Sequence, residues 1–191
     1  MFTVNVSLAS TAEYSSKAAE SIKDLNPNAA DLLITSVITS MVTDLGVVAP
    51  TASGLLTYYD GDNNSTHSID GYFVAPKRFD GNDHEEHRIS MTYGGHVETC
   101  KGANTFAVPG IYKILNLIFE RYASLPLGKL LEFPIKTAKE GFKLTQPTKD
   151  YFIHSLEPMF MWHEQSKIAL TNVYEDLENG IVKLDKLADT L

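Results

Sequence analysis

One cysteine, Cys100, stands in a chain of 191 residues. No intramolecular disulfide can form, which points to a reducing compartment. Basic side chains are scarce beside acidic ones, 16 Lys and Arg against 24 Asp and Glu, for a net charge of −8. Such a surface repels phosphate backbones and anionic lipid, so neither nucleic acid nor a membrane is an expected partner. No run of about 18 apolar residues is present to span a bilayer. The N-terminal stretch Met1-Phe2-Thr3-Val4-Asn5-Val6 has no basic region ahead of an apolar core, so it does not read as a signal peptide. The glycosylation-type triplets at Asn5, Asn63 and Asn64 then read as chance matches, and a cytoplasmic location is expected. Phosphate-cradling glycine loops and serine nucleophile elbows are also missing.

What the chain does have is apolar periodicity. Phe2, Val4, Val6 and Leu8 alternate with polar residues as in a strand. Residues 10–25 are Ala-, Ser- and Lys-rich and read as a short exposed helix or a loop. Asn26-Pro27-Asn28 breaks the chain, and from Asp31 the residues Leu33, Ile34, Val37, Ile38, Met41, Val42 and Leu45 mark one broad helix face that stops at Gly46. Leu55 to Tyr59 and Ile69 to Pro76 read as strands around the turn cluster Asp60-Gly61-Asp62-Asn63-Asn64. His87 to Tyr93 and Val97 to Phe106 read as two more, around Gly94-Gly95. Pro109 opens a second helix with a stripe of Ile111, Ile114, Leu115, Ile118 and Tyr122. Residues 126–141 read as a long connection, and 142–144 and 151–155 as short strands. Residues 159–175 fit either strand or helix, and 180–191 fit an amphipathic tail helix.

The order of periodicities repeats. A helix at 31–45 is followed by strands near 54–60 and 69–76, and a helix at 110–124 by strands near 150–156 and 168–175. The expected fold is therefore α+β: two pseudo-repeated strand-helix-strand-strand units forming one antiparallel sheet, with helices on one face and a cleft on the other. The domain would run over 1–176, with 177–191 as a tail helix. Three stretches resemble the gyrase-inhibitor-like (GyrI-like) superfamily of effector-binding domains: residues 32–59, then Gly94 to Glu98 leading into Val108-Pro109-Gly110-Ile111-Tyr112-Lys113-Ile114-Leu115, then Pro147-Thr148-Lys149-Asp150-Tyr151-Phe152. That resemblance implies a cleft between two halves that binds hydrophobic, often cationic, organic molecules. Some members resemble hydrolases of cyclopropane-containing compounds.

Candidate ligand-binding residues are Tyr58, Tyr72, Tyr93, Tyr112, Tyr151, Trp162 and Glu98, because an aromatic face stacks on organic rings and attracts cations while a carboxylate pairs with them. Glu98 and Glu164 are the candidate general acids or bases if the cleft is catalytic. Tyr59 belongs to the same set of strand tyrosines. His84-Glu85-Glu86-His87 with His96 does not match zincin spacing, because its histidines are three apart, so no metal is expected. No cofactor is expected either. The expectation is a standalone small-molecule-binding protein, monomeric or homodimeric. The alternatives are a hydrolase of strained electrophiles and an acidic inhibitor of a DNA-acting enzyme such as gyrase.

Overall fold

Asn28 starts the central helix. Its side chain accepts a hydrogen bond from the Asp31 N–H, and the Asp31 carboxylate accepts one from the Asn28 N–H, a reciprocal capping box. In the computed structural model, which describes residues 6–77, 86–91, 95, 97–102, 105–155, 159, 161, 163–168, 176 and 180–191, this helix is α2, Ala29–Thr43. It is buried nearly all round. Leu32, Ile34, Ile38, Met41 and Val42 are in the core, and so are Thr35, Ser36, Thr39 and Thr43. A helix with no solvent face must sit between layers, and α2 does. Helix α1, Glu13–Ser21, packs on it, with the Ser15 hydroxyl donating to the Ser36 carbonyl and the Ser36 hydroxyl donating to the Ser15 carbonyl, each at 3.1 Å.

Helix α3, Ile111–Tyr122, buries Ile111, Ile114, Leu115 and Ile118, one stripe at helical spacing. Helix α4, Leu127–Glu140, buries Leu130, Pro134 and Ala138, four residues apart. Pro134 has no N–H, so it cannot bond the carbonyl of Leu130 one turn back. The Thr35 hydroxyl of α2 donates to that carbonyl instead, at 2.9 Å in the buried core. The buried threonine thus closes a gap that the proline opens. Helix α5, Gln146–Ser155, follows, residues 164–168 are helical, and α6 covers Asp185–Thr190.

Among the described residues the strands form two separate two-stranded antiparallel sheets. β1, Gly54–Asp60, pairs with β2, Ser65–Gly71, in a register that sets Tyr58 opposite His67. β3, Glu86–Met91, pairs with β4, Val97–Gly102. The inner face of the first hairpin, with Leu56, Tyr58 and Ile69, packs on the α2–α3–α4 core. A second cluster of Val42, Ala138, Phe142, Leu144, Val182 and Ala188 closes the far end, where Phe142 and Val182 form an isolated bridge.

Several expectations are corrected here. The helix from Asp31, the hairpin turn at 60–64 and the helix near 110–122 are present, but they do not build a repeated sheet. Among the described residues, no paired strand of the expected kind follows the second helix. Residues 126–141, read as a connection, are mostly α4, and the strand expected near 150–156 is α5. The Thr145 hydroxyl caps that helix by accepting from the Thr148 N–H, and Pro147 lies in its first turn. Among the described residues two small sheets replace the single sheet, and they form no cleft between two equivalent halves. The strand expected at 2–8 falls partly, and that at 168–175 mostly, outside the described residues.

Candidate functional site

The end of β2 and the start of α3 meet in a glycine-to-glycine contact. A Cβ added to Gly110 would lie 2.3 Å from the Gly71 carbonyl oxygen, and one added to Gly71 would lie 2.5 Å from Ile114 Cδ1. Backbones approach this closely only where side chains are absent. The chain continues from each glycine as an extended segment, and Val74 pairs with Val108 as an isolated antiparallel bridge. The Asp70 carboxylate accepts the Tyr72 N–H at 2.9 Å and fixes the turn out of β2. Around this junction the large apolar side chains point outward: Tyr72 is 61% exposed and Phe106 62%, with Phe73, Val74, Val108 and Tyr112 also exposed. Tyr72 and Phe73 touch edge-to-face with centroids 5.8 Å apart. Helix α3 carries no side-chain N-cap; the Ile111 N–H donates to the Ala52 carbonyl at 3.3 Å, and the N–H groups of Tyr112 and Lys113, which lack an intrahelical acceptor, give this end a partial positive charge. The junction can hold an acyl or carboxylate oxygen at the helix end and an organic chain against the aromatic rings.

Two other clefts are lined by groups with chemistry. One, of about 600 Å³, lies between the tip of the first hairpin and the end of α3, and includes Tyr58, Asp60, His67, Arg121 and Tyr122. Tyr58 stacks on Tyr122 with centroids 4.2 Å apart, and burial followed by the nearby Asp60 carboxylate raises its phenol above the ordinary range. The Asn63 side chain, donating to Asp60, lowers that carboxyl. Ser65 and His67 share a 3.0 Å hydrogen bond here. The second cleft, of about 610 Å³, includes Asp44, Thr148, Asp150, Tyr151 and His154. Burial raises the Asp44 carboxyl, with bonds from Ser40 and Thr43 pulling it back.

Among the described residues, those singled out in the sequence lie at separate places. Tyr72 is at the junction, Tyr58 in the hairpin-tip cleft and Tyr151 in the Asp44 cleft. Tyr112 lines an apolar groove with Leu115, Phe119, Leu187 and Leu191. Tyr59 is on the outer hairpin face, 60% exposed, with its hydroxyl donating to Asn64. Glu98 is exposed on β4 opposite Ser90, and Glu164 is exposed and pairs with Lys167 at 3.9 Å. Tyr93 and Trp162 lie outside the described residues, as do His84, Glu85 and His96. Among the described residues no group of three or more His, Cys, Asp or Glu is placed to hold a metal. None of their helices is long and apolar enough to cross a membrane. The Gly71–Gly110 contact was missed in the sequence, where Gly71 fell inside the strand read at 69–76 and Gly110 at the start of the second helix.

The family model described as gamma-glutamyltranspeptidase matches residues 15–191. The chain belongs to the gamma-glutamyltranspeptidase family. Solved structures agree on the fold. Gamma-glutamyltranspeptidase from Pseudomonas nitroreducens, complexed with L-DON, superposes with a TM-score of 0.76 at 22% identity, over 97% of this chain and 52% of that one. Helicobacter pylori gamma-glutamyltranspeptidase gives 0.75 at 17%, over 100% and 54%. The Bacillus anthracis transpeptidase enzyme CapD gives 0.72 at 18%, over 98% and 57%. No curated protein sequence matches. The chain spans a little over half the length of these solved relatives. This overturns the GyrI-like resemblance and the reading that rested on it, a standalone small-molecule-binding domain. The cyclopropane-hydrolase and gyrase-inhibitor alternatives receive no support either. Of the three stretches that carried the resemblance, the last, Pro147 to Phe152, was matched to a strand and is helical here.

Proposed function

We propose that this gamma-glutamyltranspeptidase-family chain works in the hydrolysis or transfer of a γ-glutamyl group. The match of the family model over residues 15–191 carries the reading. The reaction is an acyl transfer. A nucleophile attacks the γ-carbonyl carbon of a γ-glutamyl amide, the C–N bond breaks as the leaving amine takes a proton, and the acyl group passes to water or to a second amine. Such a reaction needs donors for the oxyanion and a surface that orients the donor substrate. Support for both comes from the β2–α3 junction: the Tyr112 and Lys113 N–H groups at the start of α3, and the rings of Tyr72 and Phe73. No residue of this chain is assigned the nucleophile.

The test is release of the aniline from a chromogenic γ-glutamyl anilide, and its acceleration by an amine acceptor, using the protein isolated from its source. Saturable turnover is the expected result. Tyr72→Ala should raise KM more than it lowers kcat, since Tyr72 is placed to orient the donor. A folded preparation no faster than buffer would overturn the reading.

A further inference from the structure

The cleft at the tip of the first hairpin, of about 600 Å³, is lined by groups of opposite charge that do not pair with one another. Arg121 comes from the last turn of α3, and Asp60 and Asp62 come from the end of β1 and the turn after it. Among the described residues the Arg121 guanidinium has no ion pair or hydrogen bond. Its own helix offers none. One turn back stand Leu117 and Ile118, and the neighbouring Glu120 carboxylate accepts from the Asn116 side chain at 2.8 Å. The Asp62 carboxylate likewise has no partner among the described residues. Asp60, by contrast, is held by the Asp62 and Asn63 N–H groups at 3.0 and 3.3 Å and by the Asn63 side chain at 2.8 Å. The aromatic wall of the cleft is fixed in place. Tyr58 stacks on Tyr122 with centroids 4.2 Å apart, and the Tyr122 carbonyl accepts from the side chain of Asn28, the residue that caps α2, at 2.6 Å.

These groups select a class of ligand. A simple anion would meet Asp60 and Asp62, and a simple cation would meet Arg121. A metal ion would need a cluster of three ligating side chains, which the described residues do not form. A molecule with both signs on adjacent atoms suits the cleft. Its carboxylate can take the planar two-point pairing that a guanidinium offers, and its ammonium can take the unpaired carboxylate. We propose that the hairpin-tip cleft binds a free α-amino acid as its zwitterion, with the carboxylate on Arg121, the ammonium on Asp62 and the side chain against Tyr58 and Tyr122. The site is apart from the β2–α3 junction. β2 runs from Ser65 at the tip to Gly71 at the junction, about 20 Å of strand. An amino acid bound at the tip is therefore not placed to react at the junction, and the proposal stands independently of γ-glutamyl transfer.

L-Phenylalanine titrated into isotope-labelled protein, followed by backbone amide NMR shifts, tests the site. The amides of Asp62, Asn63 and Arg121 should shift together and saturate in roughly the millimolar range, because both ion pairs lie at the surface. Phenethylamine lacks the carboxylate and hydrocinnamate lacks the ammonium, so each should bind about fivefold more weakly. Arg121→Gln and Asp62→Asn should each weaken L-phenylalanine about fivefold as well. Both residues are exposed, so the fold should survive, and unchanged amide shifts over the α2 core verify it. Absence of saturable shifts at these three amides would overturn the proposal. So would shifts centred on Tyr72 and Gly110, which would put the amino acid at the junction. Equal binding of either analogue, or of L-phenylalanine to either variant, would overturn the zwitterion pairing.

Discussion

Replacing Thr35 by valine should destabilise the protein far more than the loss of one hydroxyl from a core usually does. Thr35 is fully buried, and its Oγ1 donates to the Leu130 carbonyl at 2.9 Å. That carbonyl has no helical partner four residues on, because Pro134 lacks an N–H. Valine matches the threonine in shape, so little packing changes, but a buried carbonyl is left without the donor that satisfied it. The expected cost is about 1–3 kcal/mol. Urea unfolding followed by circular dichroism should show a lower midpoint with an unchanged slope. The decisive step is a double-mutant cycle. Pro134→Ala restores an N–H to the helix that can bond Leu130, so in that background Thr35→Val should cost less by more than about 0.5 kcal/mol, the limit for independent sites. Equal costs in both backgrounds would refute the idea that Thr35 substitutes for the bond the proline removes.

Three further outcomes are expected. Asp31→Ala should cost roughly 3 kcal/mol or more in the same unfolding assay, because the buried carboxylate accepts from the Asn28, Ser124 and Leu125 N–H groups and from the Ser124 hydroxyl, tying the start of α2 to the end of α3. Gly110→Ala should lower the melting temperature by several degrees, since its methyl would meet the Gly71 backbone, and an unchanged melting curve would show that the junction is loosely packed. Asp44→Asn should stabilise the protein at pH 7 and lose that advantage in acid. Burial raises the Asp44 carboxyl in the folded protein, so its favourable contribution is fully present below the ordinary aspartate range and is lost as pH rises through the elevated folded value. Melting temperatures of both proteins across pH 3–8 check the sign.

Local signals in the sequence were reliable where they were dense. The Asn26-Pro27-Asn28 break, the apolar face from Leu33 to Leu45 and the acidic turn at 60–64 each pointed to the element that forms. Helix α4 was hidden by Pro126 and Pro134. A proline inside a helix argues against it locally, and only the tertiary bond from Thr35 shows how it is accommodated. Helix α5 was hidden by Tyr151-Phe152-Ile153, which has strand composition, although Thr145 and Pro147 gave helix-start signals. The assembly error followed from these two. Once α4 and α5 were read as connection and strand, the chain seemed to repeat. The candidate site was legible only in part. Tyr72 stood out as a strand aromatic, but the contact that shapes its surroundings is between two glycines from segments almost forty residues apart, and no side-chain pattern reports such a contact. The remaining tyrosines were grouped by residue type, and three-dimensional packing separates those among the described residues.

The proposed role in γ-glutamyl transfer is tested most directly by chemistry at the γ-carbonyl. Protein isolated from its source, incubated with a γ-glutamyl anilide and a labelled amine acceptor, should release the aniline and form the γ-glutamyl amide of the acceptor, both at rates that saturate with donor. Folded protein that forms neither the labelled amide nor free glutamate would contradict a role in γ-glutamyl transfer.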